Sequence, residues 1–121
     1  MKTETIAAIA TAMSNAGISI IRISGDDAIE IAHRIFRPKN EKKELQKLAS
    51  HTVHYGYIMD GDIVIDEVLL HLMKGPNSYT KEDVIEIDCH GGVTVTKQIL
   101  ETVIKYGGRA AEPGEFTKRA F

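Results

Sequence analysis

The stretch "GPNSYTKEDVIEIDCHGG", from Gly75 to Gly92, places a short alternating segment between two groups of turn residues. The segment from Val84 to Cys89 has the length of a usual β-strand, about six residues. Side chains alternate between the two faces of a strand, so the sequence predicts one apolar face and one polar face. The apolar face carries Ile85, Ile87 and Cys89, and the opposite face carries Val84, Glu86 and Asp88.

Five other segments have the composition of β-strands. Thr5–Ala10 is short and apolar, and Ile18–Ser24 follows the turn cluster "SNAG". Because Ile18–Ser24 is apolar on both faces, we expect a central strand that is covered on both sides. Asp60-Gly61 is a strong tight-turn dipeptide and predicts a hairpin. The remaining predicted strands are His51–Met59, with Val53, Tyr55, Tyr57 and Met59 on one face, Asp62–Met73, with Asp66-Glu67 as a candidate break, and the short "RAAE" from Arg109.

Three segments predict helices, and one predicts an exposed loop. An apolar stripe at helical spacing begins at Ala28, and Pro38 is expected to stop that helix. Val93–Tyr106 is the second helix, which Gly107-Gly108 ends, and Pro113–Phe121 begins the third. The stripes are Ala28, Ile31, Ala32, Ile35 and Phe36 in the first helix, and Ile99, Leu100, Val103 and Ile104 in the second. The charged segment Lys39–Ser50 is predicted to be an exposed loop or a fragment of helix.

The order of these elements predicts the fold class. An antiparallel hairpin in the middle of the chain excludes a purely parallel sheet, whereas the first helix allows a parallel crossover. We therefore expect an α+β fold, a mixed β-sheet with about three helices packed on it. A chain of 121 residues is long enough for one domain with a core and too short for two.

The composition limits the function classes. The chain is 43% hydrophobic and 26% charged, as soluble globular proteins are. A net charge of −2 argues against a general nucleic-acid-binding surface and leaves a local basic patch open. A single cysteine excludes an internal disulfide and suits the cytoplasm. No apolar run approaches the roughly 18 residues of a membrane span, so we expect no membrane association.

Arg22 and Glu86 are the two charged residues that the strand patterns single out. Arg22 shares a face with Ile18 and Ile20, where a guanidinium needs a carboxylate, a phosphate or the open edge of the sheet. A structural ion pair explains Arg22, and an ordinary wet strand face explains Glu86, without any ligand. The other interpretation is a ligand site, because a carboxylate accepts two parallel N–H donors and pterin and guanine rings present such an edge. The sequence leaves both interpretations open.

The other reactive side chains predict no catalytic residue and no metal site. The His90–Gly92 segment fits an anion site at a helix N-terminus or a plain tight turn. Cys89 and His90 point to opposite strand faces and do not pair as nucleophile and base. His51 and His54 also face opposite sides of an extended strand, which disfavours zinc. No G-x-x-x-x-G-K-[ST] loop is present, so the phosphate site of a nucleotide hydrolase would lie outside these residues.

Four segments together resemble the N-terminal domain of the MnmE (TrmE) family of tRNA-modification GTPases. They are "TIAAIAT", "GISIIRISG", "GPNSYTKEDVIEIDCHGG" and "RAAEPGEFTKRAF", and they follow the family's order over nearly the whole chain. The chain stops on Phe121 in the middle of a helical pattern. We therefore expect a fragment, without the helical and GTPase domains that the resemblance implies for the parent.

The resemblance implies a folate-binding domain over residues 1–121, similar in fold to the folate-binding domain of glycine-cleavage aminomethyltransferases. It implies 5-formyltetrahydrofolate as the ligand, a homodimer as the assembly and the cytoplasm as the location. For the full-length parent it implies GTP, magnesium and potassium as further ligands, and the FAD-dependent subunit MnmG (GidA) as the partner. The parent would then place a 5-carboxymethylaminomethyl-type modification on the wobble uridine of certain tRNAs, with the folate as the source of one carbon.

Two folate contacts of the family match residues of this chain. The arginine of the family's "I-R-I-S-G" is Arg22, and the last glutamate of its "E-D-V-x-E" is Glu86. A third contact, a lysine shortly after "F-T-x-R-A-F", would lie beyond Phe121. Thr11–Gly17, "TAMSNAG", departs from the proline and glycine residues of the family. The alternative function is a folate-dependent one-carbon (aminomethyl) transferase, which requires an acid or base near the reactive folate nitrogen and a much longer chain.

Overall fold

The computed structural model describes residues 4–11 and 17–121 of the chain. In these residues a mixed seven-stranded sheet is accompanied by three α-helices, which confirms the predicted α+β class. The strands are β1 (Ile6–Ile9), β2 (Ile18–Ser24), β3 (Phe36–Pro38), β4 (Thr52–Asp60), β5 (Ile63–Met73), β6 (Val84–His90) and β7 (Arg109–Ala110). The helices are α1 (Ala28–Ile35), α2 (Val93–Lys105) and α3 (Glu115–Ala120), and a short 3₁₀ helix covers Leu45–Lys47.

The sheet has the strand order β3-β4-β5-β6-β2-β1-β7. All neighbouring strands are antiparallel except β1 and β7, so the parallel pair lies at one edge and not across α1. β2 is a central strand, as predicted, and it pairs with β6 from Ile18 opposite His90 to Ser24 opposite Val84. This register brings the start of the chain against the segment between the two turn clusters.

The hydrophobic core lies between one face of the sheet and helices α1 and α2. Every second residue of the central strands enters this core, as the alternation predicts. The largest fully buried side chains on that face and on the helices include Ile21, Ile23, Ile31, Ile35, Leu70, Leu72, Ile85, Ile87 and Ile99. We call the opposite side of the sheet the open face.

The prediction that β2 is covered on both sides is wrong. Its open face carries Ile18, which is 63% exposed, and Ile20 and Arg22, which are half-buried. The reason is that α1 and α2 pack on the other face only. On the open face, α3 lies near one end of β2, where Arg119 of α3 reaches the Ser24 carbonyl oxygen. The apolar pattern of Ile18–Ser24 therefore records one core face and one exposed face.

The hairpin between β4 and β5 forms, but its turn lies one residue later than predicted. Asp60 pairs with Ile63, so the turn residues are Gly61 and Asp62. Gly61 has a φ of +59°. Tight hairpin turns need positive φ at the first central position, where glycine has no steric cost.

β5 is continuous where a break near Asp66-Glu67 was a candidate. Ile58 pairs with Asp66 and Met59 with Val64, so Ile65 is an extra residue in a β-bulge. The bulge changes the pairing register near Asp66, and the strand continues through it. It lies beside Met59, which is buried, whereas Val53 and Tyr55 of the predicted common face are exposed.

The sequence predicts that Pro38 stops the first helix, but the helix ends before Pro38 is reached. α1 ends at Ile35, and Phe36–Pro38 forms the edge strand β3 against β4. A residue before proline favours an extended backbone, and an edge strand tolerates the missing N–H of proline. The segment Lys39–Ser50 contains only the short 3₁₀ helix, in agreement with the prediction of a loop or a fragment of helix.

The buried stripe of α2 differs in part from the prediction. Ile99 and Val103 are buried, but Ile104 is 39% exposed. Thr96 and Thr102 take buried positions instead, and the Thr102 hydroxyl donates to the Gln98 carbonyl oxygen at 2.8 Å. Thr102 can be buried because the helix backbone satisfies its hydroxyl, whereas the buried Thr96 hydroxyl has no hydrogen-bond partner among the described residues. The predicted third helix forms as α3, and the "RAAE" strand is confined to its first two residues.

Candidate functional site

Arg22 and Glu86 face each other on the open face. They are directly opposed in the register of β2 and β6. The Arg22 Nε and Nη2 atoms donate to the same oxygen of Glu86, Oε2, at 3.0 and 2.8 Å. The side chains are 30% and 22% exposed, so both charges keep contact with water. The structure thus brings together the two residues that the sequence singles out, and it pairs them with each other.

The pairing leaves half of each charged group without a protein partner. Among the described residues, nothing accepts from Nη1 of Arg22 and nothing donates to Oε1 of Glu86. A carboxylate has about four acceptor positions, and a guanidinium has five N–H donors. The pair therefore still offers an acceptor and a donor side by side to a ligand on the open face.

Two aromatic rings lie beside the guanidinium. The Arg22 guanidinium carbon is 5.5 Å from the ring centroid of Tyr79 and 5.9 Å from that of Phe116. Tyr79 comes from the turn before β6 and Phe116 from α3, and Tyr79 is 47% exposed. Sequence reasoning missed both rings as site residues. The available signal was an aromatic residue within each of the two turn-rich motifs, "GPNSYT" and "PGEFTK".

A polar network fixes α3 beside these rings. Arg119 of α3 donates to Glu82 Oε1 at 3.1 Å, and both side chains are largely buried. Glu82 also accepts from the Ser24 hydroxyl at 2.9 Å, and Ser24 lies 2.5 Å from the Thr80 hydroxyl. Hydrogen bonds to charged partners are the stronger kind in proteins. This network ties α3, the end of β2 and the turn before β6 into one unit.

A second charged cluster anchors the start of α3. Arg109 contacts both Glu4 and Glu115, and Glu115 also accepts from the Glu112 backbone N–H at 2.9 Å. The Arg109 guanidinium and this backbone N–H lower the pKa of Glu115 to about 2. The same contacts raise the pKa of Arg109. Both groups are therefore charged at neutral pH, and the cluster holds α3 next to the β1–β7 edge.

A histidine lies immediately beside Glu86 on the open face. His71 of β5 is directly opposite Glu86, and its Nε2 lies 2.9 Å from Asp88 Oδ2. Sequence reasoning also missed this pair, because it depends on the register between β5 and β6. A cavity of about 210 Å³ opens next to it and is lined by Glu86, His71 and Val53 among others.

A further cavity continues along β6 from this point. It has a volume of about 290 Å³, and its lining includes Ile18, Leu69, Tyr55 and Asp88. Asp88 is two residues from Glu86, about 7 Å along the strand. The two cavities are each small for a ligand site, since such sites usually measure about 300–1,000 Å³. A ligand larger than either cavity would have to extend across the open face.

The other cysteine and histidine residues that the sequence offers as candidates make contacts within the fold. Cys89 faces the core, where burial raises the pKa of its thiol, and it donates to the Ser19 carbonyl oxygen at 3.4 Å. His90 faces the other way and bonds to Asp66. His54 is buried, and loss of hydration lowers its pKa. Within residues 4–11 and 17–121, no three or more His, Cys, Asp or Glu side chains are placed to hold a metal ion.

The glycines after β6 close the strand-to-helix junction. The Gly91 N–H donates to the Gly17 carbonyl oxygen at 3.0 Å, so it is used within the fold. Gly92 precedes α2 with a φ of +147°, a backbone conformation that favours glycine. The structure therefore supports a tight turn here. The loop "TAMSNAG" differs from the family pattern, and its residues 12–16 lie outside the described residues.

The described part of the chain contains no helix with the length and apolar character needed to cross a lipid bilayer.

Comparison with known proteins identifies the family. The model of the family "GTP-binding protein TrmE N-terminus" matches residues 5–121. A tRNA modification GTPase MnmE of Lachnoclostridium phytofermentans is 64% identical over 121 residues, which are 100% of this chain and 26% of that protein. The proteins of the same name from Thermoanaerobacter pseudethanolicus and Enterococcus faecalis are 58% and 50% identical, over 98% and 100% of this chain.

These matches extend over the whole site described above. The chain spans about a quarter of the length of these relatives, 26% in each case. The match of residues 5–121 includes both sequence motifs that supply the aromatic rings and both strands that carry the charged pair. The chain therefore belongs to the family "GTP-binding protein TrmE N-terminus".

Proposed function

We propose that this chain is the folate-binding and dimerising domain of a GTPase that modifies tRNA. The observation that carries the proposal is the Arg22–Glu86 pair, partly exposed on an open sheet face, with one acceptor and one donor still available. The ligand that we propose is a reduced folate, 5-formyltetrahydrofolate. Domain, ligand and residues are the ones that the family resemblance implies.

The chemistry of the pair suits the pterin ring of a folate. The pterin presents an amino group next to a ring N–H, and a carboxylate accepts such parallel donors. Glu86 Oε1 is available for the first donor, and Oε2 becomes available for the second when Arg22 turns away. Arg22 then has its guanidinium for an oxygen or the anionic tail of the ligand. The rings of Tyr79 and Phe116 are centred 5.5 and 5.9 Å from the Arg22 guanidinium carbon and supply flat apolar surface beside the proposed pterin site.

The activity of the parent is part of the proposal. The relatives are named tRNA modification GTPase, and this chain corresponds to about a quarter of each. We propose that the longer protein binds GTP, with magnesium and potassium, and acts with the FAD-dependent subunit MnmG on the wobble uridine of tRNA in the cytoplasm. In that scheme residues 1–121 hold the one-carbon donor.

A homodimer is the assembly that the open face supports. Four large apolar residues are exposed on or beside it: Ile18, Val53, Tyr55 and Leu69. Contiguous exposed apolar surface of this kind often marks an interface, and most soluble oligomers are symmetric homodimers. The partner that we propose is a second copy of this chain.

One observation favours the alternative function, a folate-dependent one-carbon transferase. Such an enzyme needs an acid or base beside the ligand, and the His71–Asp88 pair lies next to Glu86. In this case a longer protein that contains this chain would transfer the formyl group to an amine: the bond to the folate nitrogen breaks, a bond to the amine nitrogen forms, and the proton that the amine loses goes to the folate nitrogen. A single-turnover assay with 5-formyltetrahydrofolate and an amine tests this, and loss of turnover in His71→Gln would favour the transferase.

The experiment that tests the main proposal is isothermal titration calorimetry of the chain with 5-formyltetrahydrofolate. A pterin without the aminobenzoyl-glutamate tail and an unrelated aromatic acid serve as the comparison ligands. The proposal expects saturable binding of the folate, weaker binding of the pterin and none of the acid. Equal binding of the folate and the aromatic acid would contradict a pterin-reading site.

A further inference from the structure

A basic edge lies at the end of the sheet that is farthest from β7. We use this name for Arg37, Lys39, Lys42 and Lys43, together with the ring of Tyr57. Arg37 belongs to the edge strand β3, and the three lysines follow it in the chain. All four basic side chains are exposed. Between Arg37 and Lys47 the chain has five basic and two acidic residues, whereas the whole chain carries a net charge of −2.

None of the four cations of the basic edge forms an ion pair with a described residue. Each arginine outside it has a carboxylate partner, and the four are Arg22, Arg34, Arg109 and Arg119. Arg37 has none within ion-pair distance in the described part of the chain, and neither do Lys39, Lys42 and Lys43. The acidic residues of the same segment are Glu41 and Glu44, and Glu44 pairs with Lys47. An uncompensated cluster of this kind offers its charge to an anionic partner.

Aromatic surface accompanies these charges. The Arg37 guanidinium carbon is 5.2 Å from the Tyr57 ring centroid, and Lys39 Nζ is 5.7 Å from the same centroid. Lys39 also donates to the Tyr57 hydroxyl at 3.1 Å, and this contact raises the pKa of the lysine. Tyr55 is the next ring, with its centroid 6.2 Å from that of Tyr57. Cations and tyrosine rings thus alternate on the surface.

The charge also reaches around the edge strand. Lys43 Nζ lies 3.4 Å from His54 Nδ1, on the core side of β4, whereas Arg37 and Tyr57 are opposite each other on the open side. The positive charge of Lys43 contributes to the low pKa of His54. The basic edge therefore presents charge from both sides of β3, and a flexible anionic chain crossing the edge would meet all four cations.

We propose that the basic edge binds the sugar-phosphate backbone of RNA at an unpaired segment. Repeated phosphates complement spaced cations, and unpaired bases stack on aromatic or cation–aromatic surfaces. An acidic protein would match the charges but not the tyrosine rings. The choice of RNA rests on the proposed role in tRNA modification, whereas the charge and its location do not.

The test is fluorescence polarisation of the chain with a labelled RNA stem-loop that has an unpaired loop. Arg37→Glu with Lys39→Glu should weaken binding at least about tenfold and lower the slope of log affinity against log salt by about 1.4, since each of the two lost phosphate contacts to a single strand contributes about 0.7. The matched control, Lys97→Glu with Lys118→Glu, changes the net charge equally at exposed sites elsewhere and should have an effect below about twofold. Tyr57→Leu should weaken binding about fivefold or more through lost stacking.

Circular dichroism checks the fold of each variant, and the milder pair Arg37→Gln with Lys39→Gln replaces the charge reversal if that variant does not fold. Equal loss in the edge and control variants, or no binding of the wild-type chain at low salt, would overturn the proposal. Binding of polyglutamate or of anionic phosphatidylglycerol vesicles as tight as that of RNA would overturn RNA as the partner. Folate titration of the same variants separates the two proposals, because the basic edge does not include Arg22 or Glu86.

Discussion

The guanidinium of Arg22 donates twice to a single oxygen of Glu86, and the two residues are 64 positions apart in the chain. The contact joins the two central strands on the open face of the sheet. Because it uses one carboxylate oxygen only, it satisfies the charges of the apo protein and still leaves groups for a ligand. The pair is therefore both the ion pair and the candidate binding site that the sequence could not distinguish.

Removal of the arginine separates these two roles. Arg22→Ala should weaken 5-formyltetrahydrofolate binding at least about tenfold, which corresponds to about 1.4 kcal/mol. Its effect on unfolding should be only about 1 kcal/mol, because partly exposed ion pairs contribute little. Calorimetry and urea unfolding measure the two quantities. A large loss of stability with unchanged folate affinity would mean that the pair is structural.

The network around Arg119 should control the site from a distance. Arg119→Gln removes the contact with Glu82 and should destabilise the fold by about 1.5 kcal/mol, since hydrogen bonds to charged groups are lost. It should also weaken folate binding, because α3 carries Phe116. Lys118→Gln, at an exposed neighbouring position, is the matched control. Equal behaviour of the two variants in urea unfolding would show that the network does not hold α3.

The Glu115 carboxyl predicts an acid-sensitive step. Its pKa is about 2 in the folded chain, compared with an ordinary value of 4.5, because Arg109 and the Glu112 N–H favour the charged form. A carboxyl with a lowered pKa contributes stability above its unfolded value, and this contribution is lost as the pH falls from about 4.5 towards about 2. Urea unfolding at a series of pH values should show this loss, and Glu115→Gln should show less of it. Parallel pH profiles for the two proteins would contradict the assignment.

The exposed apolar residues predict the mode of self-association. Leu69 is 45% exposed on the open face, so Leu69→Lys should shift the proposed dimer towards monomer in sedimentation velocity. Ile104 has similar exposure on α2, on the other side of the sheet, and Ile104→Lys should leave the dimer intact. A wild-type chain that stays monomeric at every concentration would remove the basis of this prediction.

Local patterns in the sequence predicted most of the strands and helices. The alternation of Val84–Cys89, the stripe of α1 and the glycine of the hairpin turn are local signals, and each produced the expected element. The short edge strand Phe36–Pro38 was missed, because its pairing with β4 depends on a partner that is distant in the sequence. The open face of β2 was missed for the same reason, since only the placement of the helices decides which face is covered.

The candidate site divides in the same way. Arg22 was identifiable because it interrupts the apolar pattern of its strand, and Glu86 because its strand lies between two groups of turn residues. Their mutual contact follows from the register between β2 and β6, which no local signal contains. Tyr79 lies in a turn-rich motif and Phe116 in the short third helix, and no local signal in either segment predicts that its ring lies beside the guanidinium.

In the proposed complex the Glu86 carboxylate accepts hydrogen bonds from the pterin ring of the folate. Calorimetry on Glu86→Gln is the direct test of this contact. The substitution keeps the shape of the side chain and turns one acceptor into a donor. Glu101→Gln, at an exposed position on α2, is the matched control. We expect that Glu86→Gln folds and binds 5-formyltetrahydrofolate at least about tenfold more weakly than the wild-type chain and the control. Unchanged affinity in a folded Glu86→Gln variant would contradict it.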